Sequence, residues 1–192
     1  MGWRNSPERW GSVARLLHWA IAVLIIGLVG VGLWMDDLPN SPDKVKVFAL
    51  HKSIGLTVLV LVLLRLGWRL FDRRPPHPPG MPAWERLLAG TTHGLLYVVM
   101  LVMPISGWLY NSASNFPLKW FGLFGVPSLS GPDPELKGLA LDIHEAGFYV
   151  LAMLFTLHLA GALKHHFVDR DPTLARMLPG VAPPAPANQD TP

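Results

Sequence analysis

Four stretches of this chain are too long and too apolar to be ordinary core segments, and they fix the class of fold before any other feature. Residues 16–35 are uncharged for 20 positions, 87–110 for 24 and 146–163 for 18, while 47–64 is interrupted only by His51 and Lys52. A bilayer core of ~30 Å is crossed by ~20 helical residues, so each stretch can span it. Lipid leaves the backbone only helices or closed barrels, and none of these runs alternates with the period of two that a barrel strand needs. The sequence therefore predicts an all-α integral membrane protein, an up-and-down bundle of four transmembrane helices. One four-helix membrane domain over residues 1–180 is expected, with a proline-rich disordered tail over 181–192. The first apolar run exceeds the ~7–15 residues of a signal-peptide core and no A-x-A site follows, so it is expected to stay uncleaved.

Orientation follows from basic residues. Eleven Lys and Arg flank the N-terminus, the second connection and the C-terminus, against four on the first and third connections. The positive-inside rule then places both termini in the cytoplasm and, in a bacterial inner membrane, the other two connections in the periplasm. The pI of 9.4 reflects that topology and is not a signal for nucleic acid. Cysteine is absent, which excludes disulfides, thiolate-bound clusters and covalent C-x-x-C-H haem attachment. In the third connection, "FPLKWFGLFGVP" is apolar and aromatic enough to lie on the membrane surface.

The histidines carry the chemistry. His144 and His158 lie 14 residues apart in the fourth apolar segment. That step is ~21 Å along a helix and brings the two side chains within ~40° of one face. Alternating helix direction gives each a partner at its own depth: His18 with His158 near the cytoplasmic side, His51 with His144 near the periplasmic side. Zinc would want three or four protein ligands. Haem iron wants only two axial ones, because the porphyrin supplies the rest. Ala22, Gly55, Gly147 and Gly161 lie about one turn from the four histidines, a spacing that suits a flat macrocycle against the backbone and suits close helix packing equally well. His93, at the start of the third segment, could replace His18 or His158, face a quinone pocket, or bond a neighbouring helix. His165 and His166 are expected to be solvated or to touch lipid headgroups, and His77 to be a solvated loop residue.

"RLLHW", "HKSIGLTVLVLVLLRLGWR", "MPISGW" and "DIHEAGFYVLAMLFTLHLAGALKHHFVDRDPTLARMLPG" resemble the bacterial cytochrome b561 family over nearly the whole chain. That family shares a domain type with the cytochrome b subunits of nickel–iron hydrogenases and formate dehydrogenases. The resemblance implies a four-helix bundle with two non-covalent b-type haems, held by histidines of the first, second and fourth helices at positions matching His18, His51, His144 and His158. One member type oxidises periplasmic superoxide and passes the electron to ubiquinone. The resemblance thus implies a superoxide:ubiquinone oxidoreductase. Lys52, beside His51, would draw the anion in, or else snorkel or neutralise a haem propionate. Two rivals stand beside this reading: an electron-transfer subunit for a periplasmic redox protein or dehydrogenase, and a histidine-lined transporter of metal or protons without haem.

Overall fold

The structure is a computed structural model that describes residues 2–181, so the expected tail lies outside the described residues except for Val181. Four helices dominate: α1 (Ser12–Met35), α2 (Pro42–Phe71), α3 (Ala83–Ala113) and α4 (Pro134–Phe167). Each contains a segment long and apolar enough to cross a membrane. The bundle carries many large apolar side chains on its outside, among them Val23, Ile26, Val60, Leu63, Val98 and Met153. In water such a surface is a liability; in lipid it is the ordinary exterior.

Local signals explain where the helices begin. Ser41 accepts a hydrogen bond from the Lys44 N–H at 3.2 Å and Pro42 occupies the first turn of α2. Asp133 accepts from the N–H groups of Glu135 and Leu136, both at 3.0 Å, and Pro134 opens α4. In each case the side-chain oxygen satisfies donors that a helix start leaves free, and proline costs nothing there because its missing N–H would have had no partner. Gly11, before α1, is required by close approach: a Cβ would collide with the Arg4 backbone. Pro104 lies inside α3 and removes one ladder bond.

Hydrogen bonds between connections establish the up-and-down arrangement. At one end, Arg9 and Trp19 donate to the carbonyls of Leu178 and Met177 at 2.9 and 3.0 Å. There too the Asn5 N–H donates to Asp72 at 2.9 Å and Arg176 to the Pro76 carbonyl at 2.9 Å. Both terminal segments and the α2–α3 connection therefore share the termini end. The α1–α2 and α3–α4 connections lie at the opposite end. α1 packs on α2 and α3 on α4, with α2 against α3 joining the two hairpins, whereas α4 packs only marginally on α1 or α2. The core between the ends is apolar, built on Ile21, Val58, Val62 and Met100, and on Val99, Leu151 and Leu154.

One connection gains structure that the sequence does not announce, and one expectation is corrected. The "FPLKWFGLFGVP" stretch has a regular structure of its own: it folds as an antiparallel hairpin, β1 (Leu118–Trp120) paired with β2 (Phe124–Val126). It is tied to α2, where Trp120 donates to the Thr57 hydroxyl at 3.1 Å and the Phe121 N–H to the Ser53 hydroxyl at 3.0 Å. His165 is not solvated: its Nδ1 lies 2.6 Å from Asp171 and 3.1 Å from Asp169. His166 and His77 are exposed.

Burial alone would raise the Asp171 carboxyl, but hydrogen bonds from Thr173 and from His165 outweigh it and hold the group below its ordinary value. A depressed carboxylate stabilises the fold above its unfolded pKa, and the benefit is lost as pH falls through the folded value. Asp171→Asn is therefore expected to lower the melting temperature modestly at pH 7. The effect should be about 1 kcal/mol or less, as for ion pairs near the protein surface. The difference from the parent should begin to shrink as pH falls below about 4 and vanish only below the depressed folded value, as read in pH-resolved thermal melts.

Candidate functional site

Each helix turns one seven-residue face toward the bundle axis: His18–Ile25–Gly32 on α1, His51–Val58–Arg65 on α2, His93–Met100–Gly107 on α3 and His144–Leu151–His158 on α4. Seven residues make about two turns, so each triad stays on one side of its helix. Because neighbouring helices run in opposite directions, the triads stack into three layers. The termini end holds His18, Arg65, His93 and His158. The middle is apolar: Val58 and Met100 are buried in one cluster, Leu151 in the other, and Ile25 packs against both. The opposite end holds Gly32, His51, Gly107 and His144.

Within the outer layers the four predicted histidines meet in the predicted pairs. The His18 and His158 rings lie 6.1 Å apart, centre to centre, and those of His51 and His144 lie 6.3 Å apart. With a metal–nitrogen bond of about 2.0 Å and about 1.1 Å from ring nitrogen to ring centre, two imidazoles on opposite sides of one metal have centres about 6.2 Å apart. Each ring plane contains its own bond axis, so the observed twists of 71° and 67° are compatible with such an arrangement. The residues present fit a bis-histidine haem at each end. His93 is brought to the same place as the first pair, its ring 5.1 Å from that of His158. That is about an ångström too short for two rings across one metal.

Hydrogen bonding orients His144. Its Nδ1 is 2.9 Å from the Met103 carbonyl and 3.2 Å from the Ser106 hydroxyl. A carbonyl can only accept, so Nδ1 carries the proton and Nε2 keeps its lone pair, the arrangement that presents an imidazole to a metal. The Nδ1 atoms of His18 and His51 are buried without a protein partner.

The glycines divide. A Cβ on Gly55 or Gly161 would meet nothing within 4 Å, so these two border open space and are not sites of close helix packing. A Cβ on Gly147 would collide with Met103, which makes that glycine a packing residue. Sequence reading missed the two glycines that lie against the histidine rings. A Cβ on Gly107 would come within 3.2 Å of His144 Cε1, and one on Gly32 within 3.4 Å of His51 Cε1. The signal that reveals them is the common seven-residue step, applied to α1 and α3 as well as to α4.

Lys52 is engaged. Its ammonium donates to Asn111 Oδ1 at 2.7 Å and lies 5.8 Å over the Phe116 ring, while Asn111 Nδ2 donates to the Phe116 carbonyl at 2.8 Å. Asn111 is 1% exposed, a buried polar residue whose role as the clasp between α2 and the α3–β1 connection no sequence pattern signalled. Elsewhere, Glu85, His165 and Asp169 converge closely enough to suggest a metal. The Lys164 ammonium bridges two of them, at 2.9 Å from Glu85 and 2.7 Å from Asp169, so the cluster is an ion-pair network.

Comparison with known proteins agrees with this architecture. The sequence model for prokaryotic cytochrome b561 matches residues 9–180. The chain is 34% identical to cytochrome b561 homolog 2 of Escherichia coli K12, covering 93% of this chain and 95% of that one. It is 29% identical to cytochrome b561 homolog 1 of the same organism, over 90% and 98% of the two chains. It is 27% identical to a probable superoxide oxidase CybB of Yersinia pestis, over 85% and 92%. The chain belongs to the prokaryotic cytochrome b561 family, multi-pass bacterial membrane proteins that bind b-type haem and transfer electrons.

Proposed function

We propose that this protein is a dihaem cytochrome of the bacterial inner membrane that moves electrons from periplasmic superoxide to ubiquinone, with both termini in the cytoplasm. The observation that carries the dihaem reading is the pair of histidine couples, 6.1 and 6.3 Å apart, at the two ends of an otherwise apolar bundle. His18 and His158 would hold the cytoplasmic-side haem and His51 and His144 the periplasmic-side one. When bound, the haems supply one-electron redox chemistry; the protein sets their positions and surroundings. Two nitrogen ligands per iron leave no open coordination position, which suits outer-sphere transfer. Ile25, Val58, Met100 and Leu151 put an apolar layer between the two histidine levels, which favours a cytochrome over a metal or proton transporter.

The donor rests on the resemblance to superoxide-oxidising members and on the relative named a probable superoxide oxidase. One feature favours the alternative of a periplasmic redox protein or dehydrogenase as donor: the hairpin tip bears exposed Phe121, Leu123 and Phe124 at that end, an apolar patch suited to docking. A superoxide pulse in stopped flow, followed as a reduced-minus-oxidised haem spectrum, separates the two. Superoxide is expected to reduce the wild-type haems and added ubiquinone to reoxidise them; no reduction would remove the superoxide role. Lys52→Gln is expected to slow that reduction, more so at low ionic strength, because a cationic guide acts over ~10 Å at 0.1 M salt. If Lys52 instead neutralises a propionate, haem loss or a shifted potential appears with no change in salt dependence.

A further inference from the structure

α2 and α4 run in the same direction, and the 14-residue step from His144 to His158 on α4 is matched on α2 by the step from His51 to Arg65. Where α4 places its second imidazole, α2 places a guanidinium. Arg65 acts electrostatically on His18, His93 and His158, which puts it in their layer. Arg69 follows one turn later. The two guanidinium carbons lie 5.6 and 5.3 Å over one ring, that of Tyr97 on α3. Among the described residues neither arginine has a carboxylate within ion-pair distance or a hydrogen-bond acceptor. Both are partly buried in an apolar helix. Two part-buried guanidiniums without a carboxylate are costly, and charges in such surroundings are as a rule paired.

We propose that Arg65 and Arg69 bind the two propionate carboxylates of the haem at the His18–His158 level. The charges match in number, and a planar guanidinium is the side chain best shaped to take a carboxylate through two parallel N–H bonds. The Tyr97 ring fixes both guanidiniums on one side of α2, so the site is organised before the anion arrives. This inference rests on the dihaem reading; it adds the residues that set which way the cytoplasmic-side haem faces.

The test uses the full chain with His144→Ala, so that only the His18–His158 level can fill, titrated in detergent with haem b and with haem b dimethyl ester, whose propionates are uncharged. The parent of this series is expected to bind the ester about tenfold or more weakly than haem, the loss of charge-assisted hydrogen bonds. Adding Arg65→Gln and Arg69→Gln should weaken haem to the level of the ester and abolish the discrimination. Arg65→Lys should restore part of it. If the double arginine variant still distinguishes haem from its ester as the parent does, the inference is overturned. It is overturned equally if the variant loses co-purified anionic phospholipid while haem affinity stays unchanged, which would assign the arginines to a lipid phosphate. If His144→Ala takes up no haem, and His51→Ala repeats that result, the dihaem reading itself fails.

Discussion

His158→Ala is expected to reduce the haem content of the purified protein from two per chain to one, and His18→Ala to remove the same haem. His93→Ala should keep both. The distinction follows from two distances in one layer. His158 has two neighbouring imidazoles, that of His18 at 6.1 Å and that of His93 at 5.1 Å. Only the first equals the separation of about 6.2 Å that two rings across one metal require. Removing a ligand from a bis-histidine iron deletes half of the protein's coordination, whereas truncating His93 removes only a neighbour. His51→Ala and His144→Ala should empty the other level. A pyridine haemochrome assay per mole of protein decides the stoichiometry, and circular dichroism shows whether the helices survive. If His18→Ala retained two haems while His93→Ala lost one, the ligand set at the termini end would be His93 and His158.

The second large effect is expected at a residue with no side chain. Gly107→Leu should empty the His51–His144 level, while the His18–His158 level and the helical content persist. A Cβ at Gly107 would already sit 3.2 Å from His144 Cε1 and 3.4 Å from its Nδ1. His144 cannot readily retreat, because its Nδ1 is anchored to the Met103 carbonyl at 2.9 Å. Forcing carbon into a packed site costs about 1–3 kcal/mol, enough for roughly a five- to 150-fold loss of affinity if it falls on the ring. The effect should be graded. Gly107→Ala needs a shift of a few tenths of an ångström and should weaken this haem only partly. Gly32→Ala places its Cβ at an ordinary 3.4 Å from His51 Cε1 and should be tolerated. Haem titration of the three variants orders them; equal behaviour of Gly107→Leu and Gly32→Ala would show that the ring has room to move.

These predictions draw unequally on sequence and structure. The helices were legible because lipid imposes a minimum apolar length, and residues 16–35, 47–64, 87–110 and 146–163 all lie within the observed helices. The helix ends were not: α2 runs to Phe71 and α4 starts at Pro134, beyond the apolar runs, because water-facing turns obey capping and not hydropathy. The β1–β2 hairpin was missed because its fixing contacts are Ser53 and Thr57, distant in sequence and unremarkable in composition. The sequence places His165 with solvent or lipid headgroups because its actual partners, Asp169 and Asp171, belong to a chain reversal that no periodicity announces.

By itself the sequence determined that four helices stand side by side in alternating directions, and hence that His18 shares a depth with His158 and His51 with His144. Depth follows from residue count along a helix of fixed rise and needs no knowledge of neighbours. Lateral position does not. Whether His18 or His93 stands about 6 Å from His158, which glycines leave room for a ring, and that Lys52 turns to Asn111 are set by how the helices are rotated and spaced against one another. That choice is made by packing side chains from all four helices at once, so only the tertiary structure decided it.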